Sequence, residues 1–280
     1  MSTASRQTGF SCPLCDAAGF TLLETQADWL SRAAGTADER RQIGGIVAAD
    51  PDLAFGGIVR CRECGLATVR TRPSPDALGR FYSAYYASAS YGTKRDKKIK
   101  RAARRVRRLS RRIRSNGSNA KRRFLDVGAN LGYAVEGARQ RGFDATGIEI
   151  DAEAVARATA EFPGNSYHAT TVEAFAARGE TFDLVYCSEV IEHAIDIRSF
   201  ASALMDLVAP GGVLFVTTPA DGHRATPDPL VGWVQVKPPE HLHWFAKAHL
   251  LRLFDRPDFA PRFRFNPKPG HKLVLRRALH

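Results

Sequence analysis

The segment Phe124-Leu-Asp126-Val-Gly128-Ala-Asn130-Leu-Gly132 constrains the fold more than any other part of the chain. An apolar run enters a glycine-rich turn, and a helical stretch follows near Tyr133–Arg141. Glycines in such a turn let the backbone pass close under a ligand and accept positive φ without a side-chain clash. Beyond Gly132, the run Gly147-Ile-Glu149-Ile-Asp151 puts an acid at the end of the next strand, where a carboxylate can accept both hydroxyls of a ribose. Turn and acid together define a nucleoside pocket at the carboxyl ends of the strands. The alternation continues, with strands expected near Arg123–Val127, Ala145–Ile150, Ser166–His168, Phe182–Cys187 and Val213–Thr218, and helices near Ala152–Glu161 and Ser199–Leu207. Repeated βα units imply an α/β fold, a parallel sheet covered by helices. Past Pro219 the chain is Pro-rich and irregular to about Pro239. A helical stretch near Lys247–Phe254 and strand-like runs at Phe259–Phe265 and Lys272–Arg276 close it.

The Asp-x-Gly-x-x-x-Gly turn, the acid after the second strand, the Phe182-Asp-Leu-Val185 strand and the Pro210-Gly-Gly212 turn resemble class I S-adenosylmethionine-dependent methyltransferases, over about Arg123 to Thr218. The resemblance implies a Rossmann-like sheet, mostly parallel with an antiparallel C-terminal strand, a methyltransferase domain over 121–280, and S-adenosylmethionine as cofactor. Under it, Asp126, Gly128 and Gly132 line the methionine end of the cofactor and Glu149 holds its ribose, with Asn130 and Ser188 completing the set. Asn130 stands where many members have glycine. Asn tolerates left-handed backbone, so the turn survives, but its side chain can crowd the amino-acid moiety. Asn130 also breaks the Gly-x-Gly-x-x-Gly fingerprint of a dinucleotide dehydrogenase.

Four of the five cysteines form two pairs, Cys12-Pro-Leu-Cys15 and Cys61-Arg-Glu-Cys64. Each pair brings two sulfurs within one turn, and two such turns supply the tetrahedral set that structural zinc prefers. A closed four-sulfur site leaves no open position for chemistry. A small zinc ribbon over 1–73 is therefore expected, with Gly35 to Asp50 as a loop or insertion and a helical segment over 74–120 leading to the core. Ser74 suits a helix cap and Pro75 a first turn, and Phe81, Tyr82, Tyr85 and Tyr86 then form one stripe for packing over the core, with tyrosine hydroxyls near the cofactor mouth as the functional alternative. The paired cysteines, Pro73-Ser-Pro75 and this aromatic run, followed by the core, resemble bacterial methyltransferases that modify sugars, polysaccharides or natural products.

The reaction centre is expected where the fourth core strand ends, at Ser188-Glu189-Val-Ile-Glu192-His193. If helical, Glu189, Glu192 and His193 share a face. His241 and His243 lie one residue apart, suited to one side of an extended strand. His193 is the first candidate for the base that removes the acceptor's proton, with Glu189, His241 and His243 as further catalytic candidates. Alternatively Glu189, Glu192, His193 and one of His241 or His243 hold a second, divalent metal. That pattern resembles the Glu-x-x-Glu-His motif of small-RNA 2′-O-methyltransferases.

At 280 residues, 44% hydrophobic and 25% charged, the chain can bury one α/β core with a small appendage. Its net charge of +12 resides in one segment, Lys94 to Arg123, which holds 16 Lys or Arg against the single acid Asp96. Within it Ile99, Ala102, Ala103, Val106, Leu109 and Ile113 recur at helical spacing, so a basic amphipathic helix is expected over 94–114, and Ser115 to Asn119 reads as a linker. Such a helix points to an anionic partner: a small-molecule or glycan acceptor first, with RNA or a membrane surface as rivals. No apolar run approaches a membrane span, and Met1 to Thr8 carry no signal-like stretch, so the expected location is cytoplasmic. A cofactor-binding or nucleic-acid-binding zinc protein without turnover is the alternative of another class.

Overall fold

A strand covered on both faces must be apolar on both, and Phe124 and Leu125 show this: adjacent in sequence, both fully buried, they enter different clusters on opposite faces of one sheet. The computed structural model describes residues 10–88, 94–114 and 121–279; Met1–Thr8, the Ser115–Asn119 linker and the Tyr86 side chain lie outside the described residues. In chain order the elements are β1 (Phe20–Glu24), α1 (Gln26–Ala34), α2 (Glu39–Ala49), β2 (Ile58–Cys61), β3 (Ala67–Val69), α3 (Pro75–Ser88), α4 (Arg95–Ser110), β4 (Arg123–Val127), α5 (Tyr133–Arg139), β5 (Asp144–Glu149), α6 (Ala152–Glu161), β6 (Ser166–Ala169), α7 (Val172–Ala176), β7 (Phe182–Ser188), α8 (Ile197–Asp206), β8 (Val208–Pro219), β9 (His243–Trp244), α9 (Lys247–Leu253), β10 (Phe259–Phe263) and β11 (Gly270–Arg277).

Seven strands form the main sheet in the order β10-β11-β8-β7-β4-β5-β6. Strands β6, β5, β4, β7 and β8 run parallel, and β11 inserts antiparallel between β8 and β10. The Rossmann-like sheet with an antiparallel C-terminal strand is thus present. One face buries Val106 and Leu109 of α4 and Val135 and Ala138 of α5; the other buries residues of α7, α8 and α9.

Helix α4 is the basic helix expected from the sequence, with Ile99, Ala102, Ala103, Val106 and Leu109 buried. It lies tight against α5. A Cβ at Gly137 would sit 2.9 Å from the Ala103 nitrogen and 3.0 Å from the Ile99 oxygen, both backbone atoms that cannot yield by a rotamer change.

The second sheet is antiparallel, β1-β2-β3-β9. The 1–73 segment therefore does not complete its own sheet, because its fourth strand comes from residues 243–244, where Ala67 pairs with Trp244 and Thr68 with His243. Trp29, Phe55 and Phe81 share one core with Trp233, Val236 and Trp244, and the Trp29 indole donates to the Val236 carbonyl at 3.0 Å. The stretch from Gly35 to Asp50 is not a loop but mostly α2. Asp38 caps it by accepting from the Arg40 N–H, Ile43 and Val47 bury one face four residues apart, and Gly44 lets α1 approach so closely that a Cβ would lie 3.2 Å from that of Ala33.

Replacing Gly137 by Ala should lower stability by about 1–3 kcal/mol through overpacking, although Ala gains about 1 kcal/mol in helix propensity over Gly. Denaturant unfolding of G137A measures the balance; a stabilised variant would show that α4 is free to move off α5.

Candidate active site and metal centre

The glycine-rich turn bends as its sequence requires. Gly128, Asn130 and Gly132 have φ of 75°, 46° and 74°. Asn130 does not crowd the pocket in the way feared, because its side-chain oxygen turns back to accept the Leu131 N–H at 2.8 Å. Glu149 reaches across from β5, accepting the Asn130 N–H at 3.0 Å through one oxygen and the Ile150 N–H at 2.8 Å through the other. Burial raises its carboxyl above the ordinary range against these bonds. Asp126 is buried, and no hydrogen bond from a described residue reaches its carboxylate. Burial, and then the charge of Glu149, push Asp126 well above the carboxylate range. Two acids forced together at the strand ends fit a ligand that brings positive charge, as the ammonium and sulfonium of S-adenosylmethionine do. Ser188 bonds the Thr217 hydroxyl at 2.7 Å on the neighbouring strand.

Strand β7 ends at Ser188, and the next residues do not form the helix that would align Glu189, Glu192 and His193. Glu189 takes a left-handed φ of 60°, and a single 3-10 turn spans Ile191–His193. Glu192 is thereby swung inside, fully buried, with neither carboxylate oxygen hydrogen-bonded. His193 remains half-buried, its Nδ1 3.0 Å from the Tyr82 hydroxyl. His241 stands edge-on to it, ring centres 4.9 Å apart. His241 Nδ1 lies 2.9 Å from the Gln235 carbonyl; that acceptor fixes the proton on Nδ1 and leaves Nε2 a lone pair. One ligand atom from each of Glu192, His193 and His241 lies within 4.8 Å of the others. Burial, then repulsion from Lys237, holds His193 down at about 3; burial, then His193, depresses His241 well below the histidine range. Burial, then Glu189, drives Glu192 well above the carboxylate range. Glu189 itself stays outside this trio, at the exposed mouth of the site.

His243 does not join the site. It is fully buried, with Nε2 3.0 Å from the Ala194 carbonyl and Nδ1 2.9 Å from the Thr68 hydroxyl. His241 precedes β9 and bonds the Gln235 carbonyl, whereas His243, within β9, is held between Thr68 of β3 and Ala194 after the 3-10 turn. With both ring nitrogens so engaged, His243 is not brought together with Glu192, His193 and His241.

Cys12, Cys15, Cys61 and Cys64 gather their sulfurs within 4.8 Å of one another, and the Cys12–Cys64 and Cys15–Cys61 separations are both 3.6 Å. Tetrahedral zinc with bonds of about 2.3 Å sets sulfurs about 3.8 Å apart, so the four fit that ion. Burial raises Cys61, but N–H groups of Cys64 and Glu63 outweigh it and bring the thiol to about 7. Arg198 of α8 donates to the Pro13 carbonyl at 2.9 Å, and His249 of α9 meets the Cys64 carbonyl at 2.8 Å. The cysteine cluster is therefore docked on the main domain at both knuckles.

A family model described as a methyltransferase domain matches residues 93–262. The chain belongs to this methyltransferase family. Among curated proteins, the ubiquinone biosynthesis O-methyltransferase of Brucella ovis is 41% identical over 101 residues, 34% of this chain and 40% of that protein. Its counterpart from Sinorhizobium medicae is 35% identical over 100 residues. The chain spans about 40% of the length of these relatives. An S-adenosylmethionine-dependent methyltransferase from Mesorhizobium loti superposes with a TM-score of 0.51 at 18% identity, covering 64% of this chain and all of that one; a Pyrococcus horikoshii protein does so with 0.50 at 11%, covering 71% and 98%. These structures share the fold. S-adenosylmethionine is the methyl donor of the family, and the site above is where this methyltransferase has its acidic strand ends.

Two residues near the site, Ile150 and Lys237, escaped the sequence reading. Ile150, directly after Glu149, is 61% exposed at the strand end; an apolar side chain left open beside a nucleoside pocket was the available signal. Tyr82 does pack in the expected stripe, edge-on to Phe81 with ring centres 5.3 Å apart, while Phe81 and Tyr85 stack 5.7 Å apart; its hydroxyl in addition meets His193. Lys237 is buried between Glu240 at 2.9 Å and Glu39 at 3.0 Å, and nothing in its Pro-rich surroundings announced it.

The structural role of His243 has a pH signature. Burial holds it at about 3, below the ordinary value near 6.5. Above that value the ring is neutral in both states. Acidification protonates the unfolded chain first, so stability falls by about 1.4 kcal/mol per pH unit from this ring. His243→Gln should cost about 1–3 kcal/mol at pH 7.5 and flatten the loss between pH 6.5 and 5, as read by denaturant unfolding across that range. An unchanged slope would mean that the ring is not held neutral.

Proposed function

We propose that this enzyme transfers the methyl group of S-adenosylmethionine to an oxygen of a small-molecule acceptor, with the acceptor's proton handled at the Glu192–His193–His241 centre. The observation that carries the reading is the convergence of an unpartnered buried carboxyl and two neutral imidazoles at the edge where β7 ends, beside the acidic cofactor cradle. Asp126, Gly128, Asn130 and Gly132 would hold the methionine end, Glu149 the ribose, Ile150 the base and Ser188 the near wall. The cofactor supplies an electrophilic methyl on a sulfonium. His193, neutral at pH 7, receives the hydroxyl proton as the new C–O bond forms, and Tyr82 orients the ring through Nδ1. Oxygen is preferred because the relatives are named for O-methylation. A sugar hydroxyl is one such acceptor. Glycan, RNA and membrane-surface partners gain no second observation among the described residues, in which no helix is long and apolar enough to cross a membrane.

A second reading has its own support. A fully buried carboxyl with no partner is costly, and a divalent ion bound by Glu192, His193 Nε2 and His241 Nε2 would satisfy it, with Gln235 and Tyr82 fixing the two rings from behind. That ion would polarise the acceptor oxygen. Incubation with labelled S-adenosylmethionine and small-molecule extract fractions should yield a labelled product. His193→Ala should then cut turnover by about 10²- to 10⁴-fold with cofactor affinity intact. Chelation separates the two readings: it leaves the base mechanism running, but abolishes the metal mechanism until Mg²⁺ or Mn²⁺ is restored, and there Glu192→Gln is as damaging as His193→Ala. Normal turnover in both variants would remove the centre from the chemistry.

The four cysteines are read as a structural zinc site, with residues 1–73 as the module that it organises. Purified protein should carry about one zinc per chain. Because zinc binding is worth about 10–16 kcal/mol in small modules, Cys61→Ser should lose that zinc and unfold the knuckles, measured by metal analysis and limited proteolysis. Metal-free, reduced protein with the knuckles intact would overturn it.

A further inference from the structure

Five cations gather where the carboxyl end of β8 meets the amino end of β11, and among the described residues none of them pairs with an acid within 4.0 Å. Lys272 lies opposite Thr217 of β8, which lies opposite Ser188 of β7. Cross-strand neighbours share a sheet face, so Lys272 stands on the α4 side, two residues from Val274 and next to the strand end that opens the active site. Arg105 of α4 covers the same face. Its guanidinium carbon is 5.2 Å from the Phe215 ring centre and 5.8 Å from that of Tyr186, whose hydroxyl it meets at 2.5 Å. Arg101 lies one helical turn earlier and is exposed. The β10–β11 turn adds Arg264, whose N–H donates to the Lys272 carbonyl at 2.8 Å, and Lys268. Asn266 accepts from Lys272 Nζ at 2.9 Å and so aims the ammonium.

Concentrating like charges costs free energy unless something relieves it. Burial and then repulsion from Arg105, Arg101, Arg264 and Lys268 pull the Lys272 ammonium below the lysine range. The acid that faces Arg105 and Arg101 is Glu189 at the mouth of the reaction centre, and it forms no ion pair with them. Solubility does not require this arrangement, since the other arginines of α4, such as Arg104 and Arg107, already face solvent.

We propose that Arg101, Arg105, Lys272, Arg264 and Lys268 form the acceptor's anion subsite, and that the acceptor carries a phosphate or diphosphate group. This rests on the small-molecule methyl transfer proposed above and specifies its substrate class. Planar guanidiniums match phosphate oxygens in pairs, and ammonium groups add point charge; five cations with one facing acid suit a group of two or more negative charges. The subsite adjoins Ser188 and Glu189, so a phosphate there leaves the rest of the acceptor to reach toward His193.

The test uses inorganic pyrophosphate as probe and the full chain in calorimetric titration at low salt, with S-adenosylmethionine titrated into the same samples. Wild type should bind about one pyrophosphate saturably. The variant R101Q/K272Q should bind it about 10- to 100-fold more weakly, the loss expected for charge-assisted bonds, with S-adenosylmethionine affinity unchanged. R101Q alone, at an exposed helix position, should show an intermediate loss. A control of equal charge on the other flank of α4, R104Q/R107Q, should retain wild-type binding. An equal loss in the control, an unaffected R101Q/K272Q or an absence of saturable binding would overturn the subsite. Failure of wild type to bind S-adenosylmethionine would instead sink the methyl-transfer reading while leaving the pyrophosphate result to stand or fall separately.

Discussion

The pairing of β3 with β9 is the contact on which the active-site geometry depends. Around it the Val69 N–H donates to the Leu242 carbonyl at 3.0 Å, and the Leu242 N–H donates to the Glu192 carbonyl at 2.8 Å. His243, the next residue, bridges Thr68 and Ala194. A two-residue strand thus ties the N-terminal sheet, the irregular 220–242 stretch and the 3-10 turn after β7 into one unit. His241 and His193 face each other because their backbones are held on either side of Leu242. Since β3 leaves directly from the Cys61–Cys64 knuckle, the cysteine cluster supports the reaction centre from a distance without entering it.

Burial sets the electrical character of that centre. In and around it His193, His241 and His243 are held neutral and the carboxyls of Asp126, Glu149, Glu189 and Glu192 are pushed up, all chiefly by removal from water. Lys237 and Glu240, by contrast, are buried as a pair, and Glu39 of α2 shares the ammonium. The site thus places neutral, unsatisfied groups at the strand edge and confines charge compensation to the loop behind it. Groups left unsatisfied in a native interior mark places where a ligand, proton or ion completes the structure.

What the sequence disclosed followed from local rules. The βα alternation placed β4, α6 and the ends of most core strands, because strand and helix periodicity are written within each element. The left-handed turn at Asn130 and the Ser74 cap were legible for the same reason, and Ser74 does accept the Ala77 N–H. The failures were non-local. A helix after Ser188 is plausible by spacing, yet Leu242 captures the Glu192 carbonyl and leaves only a 3-10 turn. His241 and His243 look alike on an extended strand; only the position of Thr68, far away in sequence, separates them. Helix α2, expected as a loop or insertion, is held by non-local packing: Ile43 and Val47 are buried and Gly44 lies against Ala33 of α1.

The shared sheet also imposes an order on how the chain acquires its shape. Thr68 and its partner Leu242 are 174 residues apart, and the Trp29–Val236 bond spans 207. Contacts of such separation carry a large loop-closure cost and form late. As the chain leaves the ribosome, the first 70 residues must wait, with one edge of β3 open, until nearly the whole methyltransferase sheet has been synthesised. Exposed edges of that kind invite pairing with other chains. A cysteine cluster that closes early on its own metal would hold the waiting segment in a compact, unpaired form until β9 arrives.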